Sequence, residues 1–224
     1  MFPLKTNNPS QKFPFITILL IALNFFLFLH EVFLGSGFPV FVKKYGCIPY
    51  EITHFIDLDP HINFSVYFTL FTSIFLHGSW LHLLGNMWFL YIFGRNVEDW
   101  LGNIRFLLFY LGCGVAASLI QVLFHPMSKI PTVGASGAIA GVLGAYLILY
   151  PGSKIVCLVP FFFFIRIVAL PAFLFLGFWI VWQVFSQMTL GGATNIAFLA
   201  HIGGFFIGFF GVRWLKLRKW GGWR

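Results

Sequence analysis

The stretch VGASGAIAG (residues 133–141) puts a hydroxyl, Ser136, between glycines at the head of an apolar run. In water such a serine calls for no account. In lipid, where helix backbones approach through small residues and polar groups need partners, it does. Gly137, Gly141 and Gly144 follow it on the same run. A second run, AHIGGFFIG (200–208), places His201, Gly204 and Gly208 at offsets of three and seven, on one helical stripe. Gly137 with Gly141, and Gly204 with Gly208, each fit a GxxxG contact, a weak signal alone. Here the packing stripe of the second run begins at a histidine.

The remainder of the chain makes lipid the right solvent to consider. Its 224 residues are 59% hydrophobic and 9% charged, with a mean hydropathy of +0.90; a soluble domain carries roughly 25% charged residues. Such a chain cannot cover a globular surface with polar groups, so an all-α polytopic membrane protein is expected. Cys47, Cys113 and Cys157 are odd in number and far apart, which argues against disulfides and a zinc knuckle and for small packing residues. The net charge of +8 does not point to nucleic acid, because most Lys and Arg sit between hydrophobic segments or at the chain ends.

A spanning helix needs about 20 mostly apolar residues. Six segments qualify, at 13–34, 67–93, 104–124, 132–150, 171–187 and 195–214. The first is too long for a signal-peptide core and lacks a small-residue cleavage site, so it reads as a retained span. The expected organisation is a short N-terminus (1–12), a six-transmembrane-helix domain (13–214) and a basic, Trp-rich tail (215–224), with no soluble domain appended. The segment 152–170, broken by Pro160 and Arg166, reads as interfacial. Six spans put both termini on one side with eleven of the fourteen Lys and Arg, which makes that side cytoplasmic. Ser136 and His201 then lie roughly 6 and 9 Å inside the outer face, at about 1.5 Å per residue.

The segment HGSWLHLLGN (77–86) adds His82 and Asn86, one turn apart on one face. His77, five residues before His82, lies about 140° around the helix and so faces elsewhere, in a structural role near the site. Ser136 needs a base to be a nucleophile, and a neutral His201 imidazole can take its proton. His82, Asn86 and the Ser136 backbone N–H are candidate donors to an oxyanion. Gly134 and Gly137 let the chain bend and a substrate backbone come close. All six acidic residues fall in loops or at helix ends, so no buried acid is expected and the site is a Ser–His dyad rather than a triad. Taken singly, a membrane serine is more often bonded to its own helix, whereas an intramembrane histidine is more often functional. Three helices contributing Ser, His, His and Asn near one face tip the balance. A metal site of His77, His82 and His201 is disfavoured by the offset and by the lack of a carboxylate.

On HGSWLHLLGN, FGRNVEDWLG (93–102), GASG (134–137) and AHIGGFFIG, in that order, the chain resembles the rhomboid family of intramembrane serine proteases over roughly residues 45–211. The resemblance implies a six-helix bundle with a water-filled cavity open to the outer side. It implies Ser136 as nucleophile, His201 as base, and His82, Asn86 and the Ser136 N–H as the oxyanion hole, shaped by Gly134. It also implies cleavage of transmembrane segments of other proteins without cofactor or metal, a long outer loop (35–66) partly in the outer leaflet, and span five as lateral gate. In two places the chain departs from the pattern. Val66-Tyr67 stands where many members carry Trp-Arg, so the outer loop needs another anchor. Ala140 stands where some members stack an aromatic on the histidine, so either another group orients His201 or its orientation is looser.

The expected function is therefore an intramembrane serine endopeptidase with transmembrane protein substrates, working in the lipid bilayer of a bacterial inner membrane. The alternatives are a non-proteolytic rhomboid-like factor that binds membrane proteins, and a small transporter. Neither buried charge nor internal repeats are seen to favour the latter.

Overall fold

A computed structural model describes residues 1–58, 64–161, 164–190 and 196–221. In chain order its elements are β1 (Phe2–Thr6), α1 (Phe15–Phe33), α2 (Phe38–Tyr45), α3 (Pro49–His54), α4 (Thr69–Thr72), α5 (Trp80–Phe89), α6 (Arg95–Leu101), α7 (Asn103–Phe124), α8 (Ser136–Leu149), β2 (Lys154–Phe161), β3 (Phe164–Pro171), α9 (Ala172–Leu190) and α10 (Phe198–Gly221). Among the described residues, four helices are long and apolar enough to cross a membrane: α1, α7, α9 and α10 over Phe198–Arg218. The sixth expected segment began at 195, which lies outside the described residues.

α8 is the hub. Every residue from Gly137 to Tyr146 is buried, which is why this helix is apolar all round rather than amphipathic. It runs parallel to α10 in glycine-mediated contact. A Cβ on Gly204 would strike the Gly137 carbonyl, and one on Gly208 the Gly141 carbonyl. A Cβ on Gly144 would strike the Phe205 carbonyl. α7 closes the other side, where Cys113 leaves 2.6 Å for a Cβ on Gly141 and Ala117 leaves 2.6 Å for one on Gly137. Phe93, Phe106, Tyr110, Leu143 and Tyr146 fill the space toward the opposite end. All three cysteines are free and buried, as their packing role requires, and burial pushes the Cys47 thiol up to about 12.

Four expectations need correcting. The segment 67–93 is not one helix. Its first part ends near Phe75, the chain runs extended at Leu76 (ψ 148°), and α5 starts afresh at Trp80. Ser79 causes the restart: its extended backbone and its hydroxyl, accepting the His82 N–H at 3.2 Å, form an N-cap. From there a π-turn at Leu90–Gly94 carries the helix without a break into α6. Likewise α8 begins at Ser136 itself rather than four residues earlier, so depths counted from the apolar run do not hold.

The chain is also not all-α. β1, β2 and β3 form an antiparallel sheet in that order, with Phe2 opposite Leu158 and Ile155 opposite Leu170. The apolar run at 154–159 is rich in β-branched residues and is cut by Pro160, which suits a strand and not a helix. Pro3 is tolerated because β1 is an edge strand whose register shifts beside it.

Finally, acids are buried. Glu31 is 1% exposed, Glu51 1% and Glu98 2%. They are tolerated because they accept backbone N–H groups. Glu98 takes the N–H groups of Ile16 and Thr17 at 2.8 Å, and the Thr17 hydroxyl at 2.7 Å, at the head of α1. Glu31, in the last turn of α1, accepts from the His77 N–H at 3.2 Å. The two carboxylates thus tie both ends of α1 to the chain that leads into and out of α5.

The loop after α1 has the anchor that Val66-Tyr67 does not supply. Cys47 and Thr132 exchange backbone hydrogen bonds (3.1 and 2.8 Å), Tyr50 N–H donates to the Ser128 carbonyl (2.9 Å), and the Thr72 hydroxyl to the Tyr45 carbonyl (2.6 Å).

The α8–α10 contact yields a direct test. Gly208→Leu is expected to abolish the folded, monodisperse peak in size-exclusion chromatography in mild detergent, since backbone stands where the side chain must go. Gly177→Leu, on α9 with nothing within 4 Å of its Cβ position, should leave that peak intact.

Candidate active site

The segment before α8 is a tight, glycine-dependent turn. Gly134 has φ +125°, a region that L-residues rarely adopt, and its N–H donates to the Ser73 carbonyl at 2.8 Å. The chain then enters α8 at Ser136, whose backbone sits in the first helical turn, where N–H groups and the helix dipole favour negative charge.

α10 enters at the same end. His201 is its fourth residue, and its Nε2 lies 2.8 Å from Ser136 Oγ. The pairing follows from the glycine contact one turn further in, between Gly137 and Gly204.

α5 supplies the third wall. The Gly134 Cα faces His82 so closely that a Cβ would stand 2.7 Å from its ring and 3.7 Å from Asn86 Nδ2. Both side chains therefore look onto the backbone just ahead of Ser136. His77 joins them, near the site as a structural residue as expected but not facing elsewhere. It precedes the helix, so the 140° argument does not apply to it. It is fully buried, its Nε2 accepts from the Asn86 amide Nδ2 at 3.0 Å, and its ring lies 5.1 Å from that of His82. Its place is behind the site, bracing Asn86.

A cavity of about 20 Å³ opens beside Ser136, with the polar side chains of Ser73, Ser118 and Thr132 on its walls. A water needs about 10–15 Å³ and two to four polar partners, so one fits.

Ser136, His201, His82, Asn86 and Gly134 thus lie together, with Gly137, Gly204 and Gly208 as the spacers between α8 and α10. Two residues were not anticipated. Gln183 of α9 holds His201 Nδ1 at 2.8 Å through Oε1. Trp179, one turn earlier, lies beside the same imidazole with its ring centroid 6.2 Å away at 35°. These are the groups that orient the histidine where Ala140 cannot. The available signal was a glutamine within an apolar helix, costly to bury unless partnered.

Comparison with known proteins bears on the family. The profile described as the rhomboid domain matches residues 65–218. Rhomboid protease GluP of Bacillus subtilis is 35% identical over 153 residues, which cover 68% of this chain and 27% of that protein. RHOMBOID-like protein 6, mitochondrial, of Arabidopsis thaliana is 33% identical over 147 residues, 62% of this chain and 41% of that one. Rhomboid-like protein 11, chloroplastic, from the same plant is 44% identical over 79 residues, 35% of this chain and 28% of that one. The chain therefore spans less than half the length of these relatives. Their names cover bacterial, mitochondrial and chloroplast proteins, so similarity places this chain in a membrane without singling out the bacterial inner membrane expected above.

Gly134→Ala is expected to cost about 1–3 kcal/mol, from the strained φ and the collision with His82. The check is a lowered thermal midpoint in detergent, against Gly85→Ala, whose Cβ would meet nothing within 4 Å.

Proposed function

The chain belongs to the rhomboid family, and we propose that it is an intramembrane serine endopeptidase acting through Ser136 and His201. The observation that carries this reading is the 2.8 Å contact between Ser136 Oγ and His201 Nε2 at the head of a buried helix. Around it, the proposed organisation is a six-helix domain over 13–214, with α8 and the 80–101 helical course crossing together with the four long helices. The flanking segments 1–12 and 215–224 and both termini are placed on the cytoplasmic side, following the Lys and Arg distribution.

The chemistry follows from the positions of the groups. His201 Nε2 takes the Ser136 proton as Oγ attacks the carbonyl carbon of a peptide bond. The negative charge that develops on the carbonyl oxygen is met by the Ser136 N–H at the α8 N-terminus and by the side chains of His82 and Asn86. Gly134, lacking a Cβ, leaves His82 and Asn86 in place and the approach open. As the tetrahedral intermediate collapses, His201 returns the proton to the leaving amine, and an acyl ester remains on Ser136. A water from the adjacent cavity, with His201 as base, hydrolyses the ester and regenerates the serine.

The substrate class is the transmembrane segment of another membrane protein. A peptide bond within a helix is shielded by its own hydrogen bonds, so a bond near a helix-destabilising residue is the one that reaches Ser136. No cofactor is assigned, because Ser, His and donor groups complete the proton and charge balance.

The test is labelling by a fluorophosphonate probe together with cleavage of a transmembrane substrate in detergent, for wild type, Ser136→Ala and His201→Ala. Wild type should label and cleave, and each variant, confirmed folded, should fall by about 10³-fold or more. Labelling that survives Ser136→Ala would move the nucleophile elsewhere. Folded wild type that neither labels nor cleaves, beside an active control, would favour the alternative of a rhomboid-like factor that binds membrane proteins without cutting them.

A further inference from the structure

We infer that Gln183 is a positioning residue: its amide oxygen selects the His201 tautomer that can accept the Ser136 proton, in the place a carboxylate occupies in a Ser–His–Asp triad. The inference rests on the serine protease reading above for its catalytic consequence and on the geometry alone for the tautomer.

An amide oxygen has lone pairs and no hydrogen, so at 2.8 Å from His201 Nδ1 it requires a proton on that nitrogen. A neutral imidazole carries one N–H. With Nδ1 protonated, Nε2 is left with its lone pair toward Ser136 Oγ, 2.8 Å away. With Oε1 facing the ring, the opposite tautomer would present Nε2–H to the hydroxyl and set the lone pairs of Nδ1 and Oε1 against each other. One hydrogen bond therefore sets both the ring's rotation and its competence as a base.

The placement of Gln183 supports such a role. The residue is 8% exposed. It shares a helical face with Trp179, four residues earlier, whose ring lies along the same imidazole. α9 thus holds the histidine by an acceptor and by a ring, while Ala140 on α8 offers neither. A neutral acceptor also suits the site, since a carboxylate there would bring a charge into a dry bundle. Around His201, α8 contributes Ser136, α9 contributes Gln183 and Trp179, and α7 faces this part of α10 with Ala117 and Ile120. The titratable side chain whose charge reaches His201 is His82 of α5.

The experiment uses the full chain in detergent as wild type, Gln183→Met and Gln183→Glu. Fluorophosphonate labelling rates are measured across pH, kcat and KM on a transmembrane substrate, and nitrogen-15 shifts of the His201 ring by NMR. Gln183→Met keeps the length and removes the acceptor. It should lower the labelling rate and kcat by about tenfold or more, with KM within about twofold, and its ring should show mixed tautomers. Gln183→Glu keeps an acceptor and adds charge, which favours the imidazolium. It should recover most of the rate at high pH and move the acid limb of the profile up by about one pH unit or more. Gln183→Met with wild-type rate, profile and a single Nδ1–H tautomer would overturn the inference. So would Gln183→Glu as slow as Gln183→Met with an unmoved acid limb. A silent probe and no cleavage in wild type, with the Nδ1–H tautomer present and lost in Gln183→Met, would sink the protease reading and sustain this one.

Discussion

The contact on which the rest depends is backbone against backbone, where Gly204 and Gly208 of α10 lie on the carbonyls of Gly137 and Gly141 of α8. In lipid there is no gain from hiding one apolar helix from hydrocarbon behind another. Helices join because close approach multiplies dispersion contacts and small residues allow it. Each glycine here is a place where any side chain would hold the helices apart. The same register brings the residue before Gly137 to the residue one turn before Gly204, which is how Ser136 meets His201.

Polar groups in this bundle are placed by a second rule, that a buried one must have a partner. Glu98 and Glu31 accept backbone N–H groups at opposite ends of α1. His77 spends its ring on Asn86. None of these is at the serine, yet each fixes a piece of chain that holds the site: Glu31 the approach to α5, His77 the amide facing Gly134, Glu98 the far end of the helix that begins at α5. At the site itself, His201 bonds to Ser136 through one ring nitrogen and to Gln183 through the other.

Similarity to relatives reaches the family and the membrane; the chemistry is read from this chain's own geometry. Trp179 and Gln183 illustrate the difference. They reach His201 from α9, a helix with 22% of its most apolar window buried, against 39% for α10.

The sequence alone pointed to lipid as the solvent, to the family and to Ser136 and His201 as a candidate pair, because hydropathy, small-residue spacing and a histidine on a packing stripe are local patterns. His82 and Asn86 were legible for the same reason: they are one helical turn apart. The tertiary structure decided what depends on where helices begin and on what comes from far along the chain. Ser79 starts α5 afresh, and that turned His77 from a residue facing away into a neighbour of Asn86. The N-terminal strand found its partner about 150 residues on, and the apolar segment after α8 became a hairpin. Buried acids could not be read as such, because loop or helix-end position says nothing of the backbone N–H groups another segment will offer. Gln183 was one polar residue in an apolar helix until folding set its amide oxygen against the imidazole, 18 residues further along the chain.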